Sequence, residues 1–308
     1  MAELETGRQE GHPMEISSPL LSATKFRSPV LGTLCLSFFV LTLLPAGAAP
    51  DKKAEVRFAV CDWTIGKPGD PAAFPAAHKL GLDGLQVSLV PAGDSLYLVP
   101  LDLQKKYLLW SATNRLAICS FAIGELNNVP LKSDPRAEKW LSEAIDIASS
   151  MQVRRILVPF FGKGDLRKDG RGTEAVIACL KRLAPQAEKK GVILALESWL
   201  SAEEHLQIIN TVDSRAVRVY YDVATAQDAG HDVAKEIRLL GRQICEIHAK
   251  DTKDLYGKGS MDFAAVKQAL DAIGYRGWLV IEGTKLPLGV EPSIAYDLAY
   301  LKTVFRPE

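Results

Sequence analysis

Past residue 55 the sequence predicts one α/β domain, a (β/α)8 or TIM barrel. Three observations carry that prediction. Eight short apolar runs recur along the chain, each too short for a buried helix. Each is followed by an amphipathic segment or a long connection, so strand and helix alternate over about 250 residues, the size of such a barrel. No G-x-G-x-x-G loop follows the first run, where Asp62-Trp63-Thr64-Ile65-Gly66-Lys67 stands instead. A doubly wound dinucleotide fold would usually carry one there.

The eight runs are 56–61, 84–88, 117–121, 155–159, 192–196, 217–221, 244–248 and 278–281. Most are rich in Val, Ile, Leu and aromatic residues. Helices are expected between them. The segment 137–150 puts Trp140, Leu141, Ala144, Ile145 and Ala148 on one face. The segment 174–190 ends at Gly191 and 262–273 at Gly274, and each glycine is a stop signal. Segments 201–211, 233–240 and 292–304 complete the later set. In the less regular first half, 101–115 reads as a helix, and 94–101 as either a loop or an extra hairpin. No linker or composition shift interrupts residues 50–308, so they form a single domain.

Residues 1–49 read as a leader. Lys25 and Arg27 precede the apolar run 29–44, and Pro45-Ala46-Gly47-Ala48-Ala49 offers small residues at a signal-peptidase spacing. Cleavage is expected near Ala48-Ala49, with export to the periplasm or the exterior. The alternative is an uncleaved anchor, since 28–49 is nearly long enough to span a bilayer. Beyond the leader, Cys61, Cys119, Cys179 and Cys245 form no C-x-x-C pair, which argues against a zinc finger or redox motif. Buried free thiols are the simpler reading, and export leaves disulfides open.

The 308 residues carry 37 Lys+Arg against 37 Asp+Glu and are 47% hydrophobic. That composition excludes disorder, and the neutral balance argues against a nucleic-acid partner. No stable membrane partner is expected unless the leader is retained. Homo-oligomerisation is left open.

Catalytic groups of a barrel sit where strands end and loops begin. The fifth strand ends in Glu197, the sixth in Asp222, the seventh in His248 and the eighth in Glu282. Four adjacent strands thus end in groups able to bind a metal, one strand–helix unit apart. Three carboxylates at close quarters ionise together only if a cation compensates them. Oxygen-rich ligation with one nitrogen favours Mn²⁺ or Mg²⁺, with Co²⁺ and Zn²⁺ as alternatives.

The second half resembles a known group of barrels. The pieces are LALESW (194–199), YYDVATA (220–226), EIHAKD (246–251) and GKGSMDFAAVKQALDAIGYRGWLVIEG (257–283). They resemble the sugar phosphate isomerase/epimerase superfamily, also called xylose isomerase-like or AP endonuclease family 2 barrels. The resemblance covers about residues 170 to 305, and before that it rests on strand order. It implies that Glu197, Asp222, His248 and Glu282 are the metal ligands, and that Glu197 and Glu282 also move a proton. In many relatives a small residue and then Asn or His follow the metal-binding Asp, whereas this chain has Asp222-Val223-Ala224-Thr225. The DNA-repair branch uses further His ligands, but His12 lies in the leader, and His78, His205 and His231 are not at strand ends.

The chemistry expected is isomerisation or epimerisation of a sugar or keto-sugar, through an enediolate stabilised by Mn²⁺ in preference to Mg²⁺, Co²⁺ or Zn²⁺. Glu197 acts as base on one face and Glu282 as acid/base on the other. A lyase or hydratase acting on a 3-keto-glycoside is the alternative within the same chemistry. A non-catalytic carbohydrate-binding barrel and a nuclease are the rivals from other classes. Export favours unphosphorylated sugars or glycosides. Trp199, Glu125, Lys250, Trp63 and Gln86 are expected to meet substrate. Lys250 and Asp251 could also orient the site from behind its ligands. The GKGS stretch at 257–260 is not a phosphate loop, because position 252 is Thr where a glycine is required.

Overall fold

The computed structural model describes residues 56–283 and 285–306. The signal-peptide and anchor readings of residues 1–49 lie outside the described residues. Among those described, no helix is long and apolar enough to cross a membrane.

The chain forms β1 (Arg57–Cys61), α1 (Ala73–Lys79), β2 (Gly84–Ser88), β3 (Pro91–Ala92), β4 (Ser95–Leu96), α2 (Leu101–Thr113), β5 (Ala117–Ala122), α3 (Pro135–Ser150) and β6 (Arg155–Phe160). It continues through α4 (Gly170–Lys190), β7 (Ile193–Ser198), α5 (Ala202–Val212), β8 (Val217–Asp222), α6 (Val223–Asp228), α7 (Val233–Leu240), β9 (Ile244–Ala249), α8 (Phe263–Ala272), β10 (Trp278–Ile281) and α9 (Val290–Phe305). Eight parallel strands close in the order β1-β10-β9-β8-β7-β6-β5-β2. Each barrel strand falls within two residues of its expected bounds at either end.

Three differences have local causes. An antiparallel hairpin, β3 against β4 with Pro91 opposite Leu96, begins three residues before the expected region 94–101 and ends within it. Helix α4 starts four residues earlier than its apolar periodicity suggests, because Asp169 caps it by accepting from the Gly172 amide at 2.8 Å. Helices α1 and α6 were not anticipated. Both are too short to show a periodic apolar face, and α6 is nucleated by a ligand candidate, as described below.

Alternation along the strands sorts the apolar side chains into two sets. Outward residues such as Phe58, Val60, Ile156, Leu194 and Val219 pack under the helices. Inward residues, including Ala59, Leu157, Ala195, Tyr220, Trp278 and Val280, fill the barrel. Gly84 is required at the start of β2, since a Cβ there would sit 2.8 Å from the Trp278 ring and 2.9 Å from the Ala117 carbonyl oxygen. Trp278 carries the Arg57 guanidinium on its other contact, 3.9 Å from the ring centroid. The barrel floor is thus a packed plug, and the polar groups lie toward the opposite rim.

The register shifts at two places. Leu85 pairs with Ile118 but Gln86 with Ser120, skipping Cys119. Val219 pairs with Ile244 but Tyr220 with Glu246, skipping Cys245. Each skip re-phases its strand and brings a polar side chain into the interior. The four cysteines of the described residues are free and buried.

Candidate metal centre

Barrel register brings the strand ends together. Pro159 pairs with Glu197 across β6 and β7, Asp222 with His248 across β8 and β9, and His248 with Val280 across β9 and β10. The Glu282 amide donates to the Ala249 carbonyl at 3.0 Å and carries the ladder one residue past β10. As a result, one potential ligand atom from each of Glu197, Asp222, His248 and Glu282 lies within 4.8 Å of the others.

That spacing tests whether a cation fits. Metal–oxygen bonds near 2.1 Å place adjacent octahedral ligands about 3 Å apart and opposite ones about 4.2 Å apart. The four atoms therefore span little more than one coordination sphere. Three carboxylates and one imidazole also form a suitable donor set for a hard or borderline divalent ion.

Electrostatics supports the same reading. His248 is fully buried, and its Nδ1 lies 2.7 Å from Glu197 Oε1 and 3.6 Å from Glu282 Oε2. Burial works against charging this imidazole, but the two carboxylates outweigh it and raise its pKa to about 9. Lys250 donates to Glu282 Oε2 at 2.7 Å and to Asp222 Oδ2 at 3.2 Å. Burial opposes its charge, and Asp222 and Glu282 more than restore it, so its pKa stands above the ordinary lysine value. The same burial would raise Glu282, but His248 and Lys250 pull its pKa down to about 2. Glu197 is raised by burial, with His248 opposing. Two cationic side chains thus face three carboxylates, a balance that one divalent ion could take over.

Asp222 has a second function. It caps α6, with Oδ1 accepting from the Ala224 and Thr225 amides at 2.8 and 3.0 Å, and Oδ2 accepting from the Thr225 hydroxyl at 2.8 Å. The Asp-Val-Ala-Thr run therefore fixes the Asp222 carboxylate, and Thr225 is spent on it.

A pocket of about 330 Å³ opens above the cluster, lined by Glu197 and Glu282 together with Trp63, Ser88, Val90, Glu125, Asn127, Pro159 and Phe161 among others. Trp63 was expected to meet substrate, and it lines this pocket while its Nε1 donates to Glu282 Oε1 at 3.1 Å. Glu125 also lines it. Trp199 packs edge-on against Phe161 at 5.7 Å, so it buttresses the wall. Lys250 is placed on the carboxylates of Asp222 and Glu282 and is not among the lining residues.

One expectation is corrected. Gln86 does not reach the pocket. It is fully buried, with Oε1 2.8 Å from His248 Nε2 and Nε2 donating to Ser120 Oγ at 3.0 Å. The strand has its expected bounds, 84–88, so Gln86 stands mid-strand and lies below the rim. Asp251, expected behind the ligand candidates, is also tied to the loop that follows it. Its carboxylate accepts from the Lys253 and Met261 amides at 2.9 and 2.8 Å and so braces the loop before α8. Gly259 leaves room for it, since a Cβ there would lie 2.1 Å from Asp251 Oδ2. This packing accounts for a glycine of the GKGS stretch.

The strand-end reading missed Asp62, Ser120 and Glu246. Asp62 is buried and ties β1 to β2 by accepting from the Ser88 amide at 2.7 Å and the Ser88 hydroxyl at 2.6 Å. Glu246 stands two residues before His248 on the same strand face, a period-2 signal that a systematic scan of inward positions would have found.

Comparison with known proteins follows the same lines. Residues 74–304 match the family described as xylose isomerase-like TIM barrel. An inosose dehydratase of Geobacillus thermodenitrificans is 28% identical over 124 residues, 39% of this chain and only 38% of that enzyme's length. An L-ribulose 3-epimerase of Methylomonas sp. is 22% identical over 263 residues, 80% of this chain and 88% of the relative. The solved structure of 3-keto-D-glucoside 4-epimerase from E. coli has a TM-score of 0.69 at 16% identity, covering 81% of this chain and 100% of that one. At that identity the likeness is one of fold.

Proposed function

The chain belongs to the xylose isomerase-like TIM barrel family, and from that premise we propose that it is a divalent-metal-dependent isomerase or epimerase of a sugar or keto-sugar. The observation that carries this reading is the convergence of Glu197, Asp222, His248 and Glu282 at the base of a pocket that two of them line. The donor set favours Mn²⁺ or Mg²⁺. A divalent ion bound there supplies Lewis-acid polarisation of a ketone and its neighbouring hydroxyl.

The chain's own residues supply the proton transfer. Glu197, raised by burial, removes the proton from the carbon beside the ketone. Glu282, which follows β10 and accepts hydrogen bonds from Trp63 and Lys250, takes up a proton from Lys250 or solvent and returns it to the carbon from the other side. Return to the opposite face of the same carbon gives an epimer, and return to the adjacent carbon gives an aldose–ketose isomer. The L-ribulose 3-epimerase relative supports this reading. The inosose dehydratase relative supports a second one, in which the same base drives loss of a β-hydroxyl. Among the described residues lining the pocket, the charged ones are all carboxylates, Glu125, Glu197 and Glu282. A phosphate group would be repelled there, which favours unphosphorylated substrates.

The decisive experiment is metal titration with elemental analysis of the purified chain beside a Glu197→Ala, Glu282→Ala double variant. About one divalent ion per wild-type chain, absent from the variant, is expected. It should accompany substrate-dependent exchange of a carbon-bound proton in deuterated water. Failure of both proteins to take up metal rejects the reading. Sugar binding that persists without metal would instead mark a binding barrel.

A further inference from the structure

Granted that the four residues hold a metal, we infer that Gln86 is a positioning residue that makes Nδ1 the ligating nitrogen of His248, through a buried chain of hydrogen bonds ending on Glu246. The chain crosses the barrel interior. His248 Nε2 lies 2.8 Å from Gln86 Oε1, Gln86 Nε2 donates to Ser120 Oγ at 3.0 Å, and Ser120 Oγ donates to Glu246 Oε1 at 2.9 Å. Arg155 Nε stands 3.4 Å from the other oxygen, Glu246 Oε2. Gln86, Ser120, Glu246 and His248 are all fully buried.

Donor and acceptor chemistry fixes the direction of every link. Ser120 Oγ donates to Glu246 Oε1, on the carboxyl group that faces the Arg155 guanidinium. The Ser120 oxygen then has only lone pairs to offer Gln86, and the Gln86 amide must turn its N–H to Ser120. Its carbonyl is left facing His248. A carbonyl cannot donate, so Nε2 of the imidazole must carry a hydrogen. In the neutral ring, the ligating form, the lone pair is therefore on Nδ1, the nitrogen that faces Glu197 and Glu282. The Cys61 thiol also donates to Gln86 Oε1, at 3.2 Å, reinforcing the same amide orientation.

Both register shifts of the barrel serve this chain. Skipping Cys119 places Ser120 beside Gln86, and skipping Cys245 places Glu246 on the inward face with His248. Without them the period-2 alternation would direct these side chains to the other surface of their strands.

The test uses zinc, which is diamagnetic, as the probe metal on the full chain. Zinc affinity is measured by calorimetry, and the His248 tautomer by ¹⁵N NMR of histidine-labelled, zinc-loaded protein. Wild type is expected to show Nε2–H with Nδ1 ligated. Gln86→Leu should weaken zinc binding about 10–100-fold and give a mixed or reversed ring signature. Gln86→Glu, which keeps an acceptor toward the ring, should retain the wild-type signature. If the leucine variant does not fold, Ser120→Ala serves. It frees the amide to rotate and should weaken zinc binding several-fold with the same mixed signature, on the scale of one lost hydrogen bond. A folded Gln86→Leu, or failing it Ser120→Ala, with wild-type affinity and an unchanged ring signature overturns the inference alone. A wild-type chain that takes up no zinc overturns the four-ligand reading and this inference with it.

Discussion

Strands β7 to β10 bring Glu197, Asp222, His248 and Glu282 to the rim, while β1, β2, β5 and β6 and their first loop residues bring Trp63, Ser88, Ala122 and Pro159 to the pocket above it. One half of the barrel concentrates charge, and the other is mostly shape. Two polar groups of the first half, Gln86 and Ser120, face inward beneath His248, while Ser88, Glu125 and Asn127 reach the pocket wall. The comparison teaches that the closed sheet lets one half be specialised for reaction and the other for fit, because both halves share a single rim.

The sharpest way to break that division is to exchange one carboxylate in each half. Glu282→Gln should lower kcat by about 10³-fold, within the range of a lost acid/base group. Glu125→Gln, on the opposite wall, should raise KM several-fold and leave kcat near wild type. Initial rates of proton exchange across substrate concentrations separate the two. Equal losses of kcat would dissolve the contrast.

A smaller effect sharpens it from the side of stability. Lys250 is the cation that Asp222 and Glu282 share. Lys250→Met should destabilise the metal-free chain by about 3 kcal/mol, as expected when one partner of a buried ion pair is removed. Added Mn²⁺ should recover most of that loss. Urea unfolding with and without metal measures both, and a metal-free variant as stable as wild type would contradict the charge balance drawn here.

The smallest effect belongs to the first half and is a pH slope. Burial lifts the Asp62 carboxyl to about 6, against the hydrogen bonds it receives from Ser88 and Gly69. Its folded pKa is above its unfolded one, so its stabilising contribution is full below about pH 4 and is lost as pH rises through 6. Asp62→Asn should flatten the stability profile between pH 4 and 7, whatever its effect on the overall level. An unchanged slope in chemical denaturation would place the titration elsewhere.

How much the sequence disclosed follows from the same contrast. The four ligand candidates were legible because each stands where an apolar strand gives way to polar residues, a local signal repeated once per unit. Gln86 was misassigned because it stands mid-strand, two residues before the end of β2, too deep in the barrel to reach the pocket. Ser120 was hidden because the skipped Cys119 re-phases its strand, and alternation read from sequence assumes an unbroken register; Glu246 keeps phase with His248 and was legible. Helix α6 escaped notice because its start is set by the Asp222 side chain and not by an apolar face.

The plug at the barrel floor, where Trp278 packs against Gly84 beneath a filled interior, makes the site a cul-de-sac. A substrate seated in the pocket would cover the mouth and isolate the proton just removed from its carbon. Bulk water would then compete poorly for it. Isotope carried on the substrate should in part be handed back to product within the same turnover, and the fraction recycled would report how completely the guest seals its own entrance.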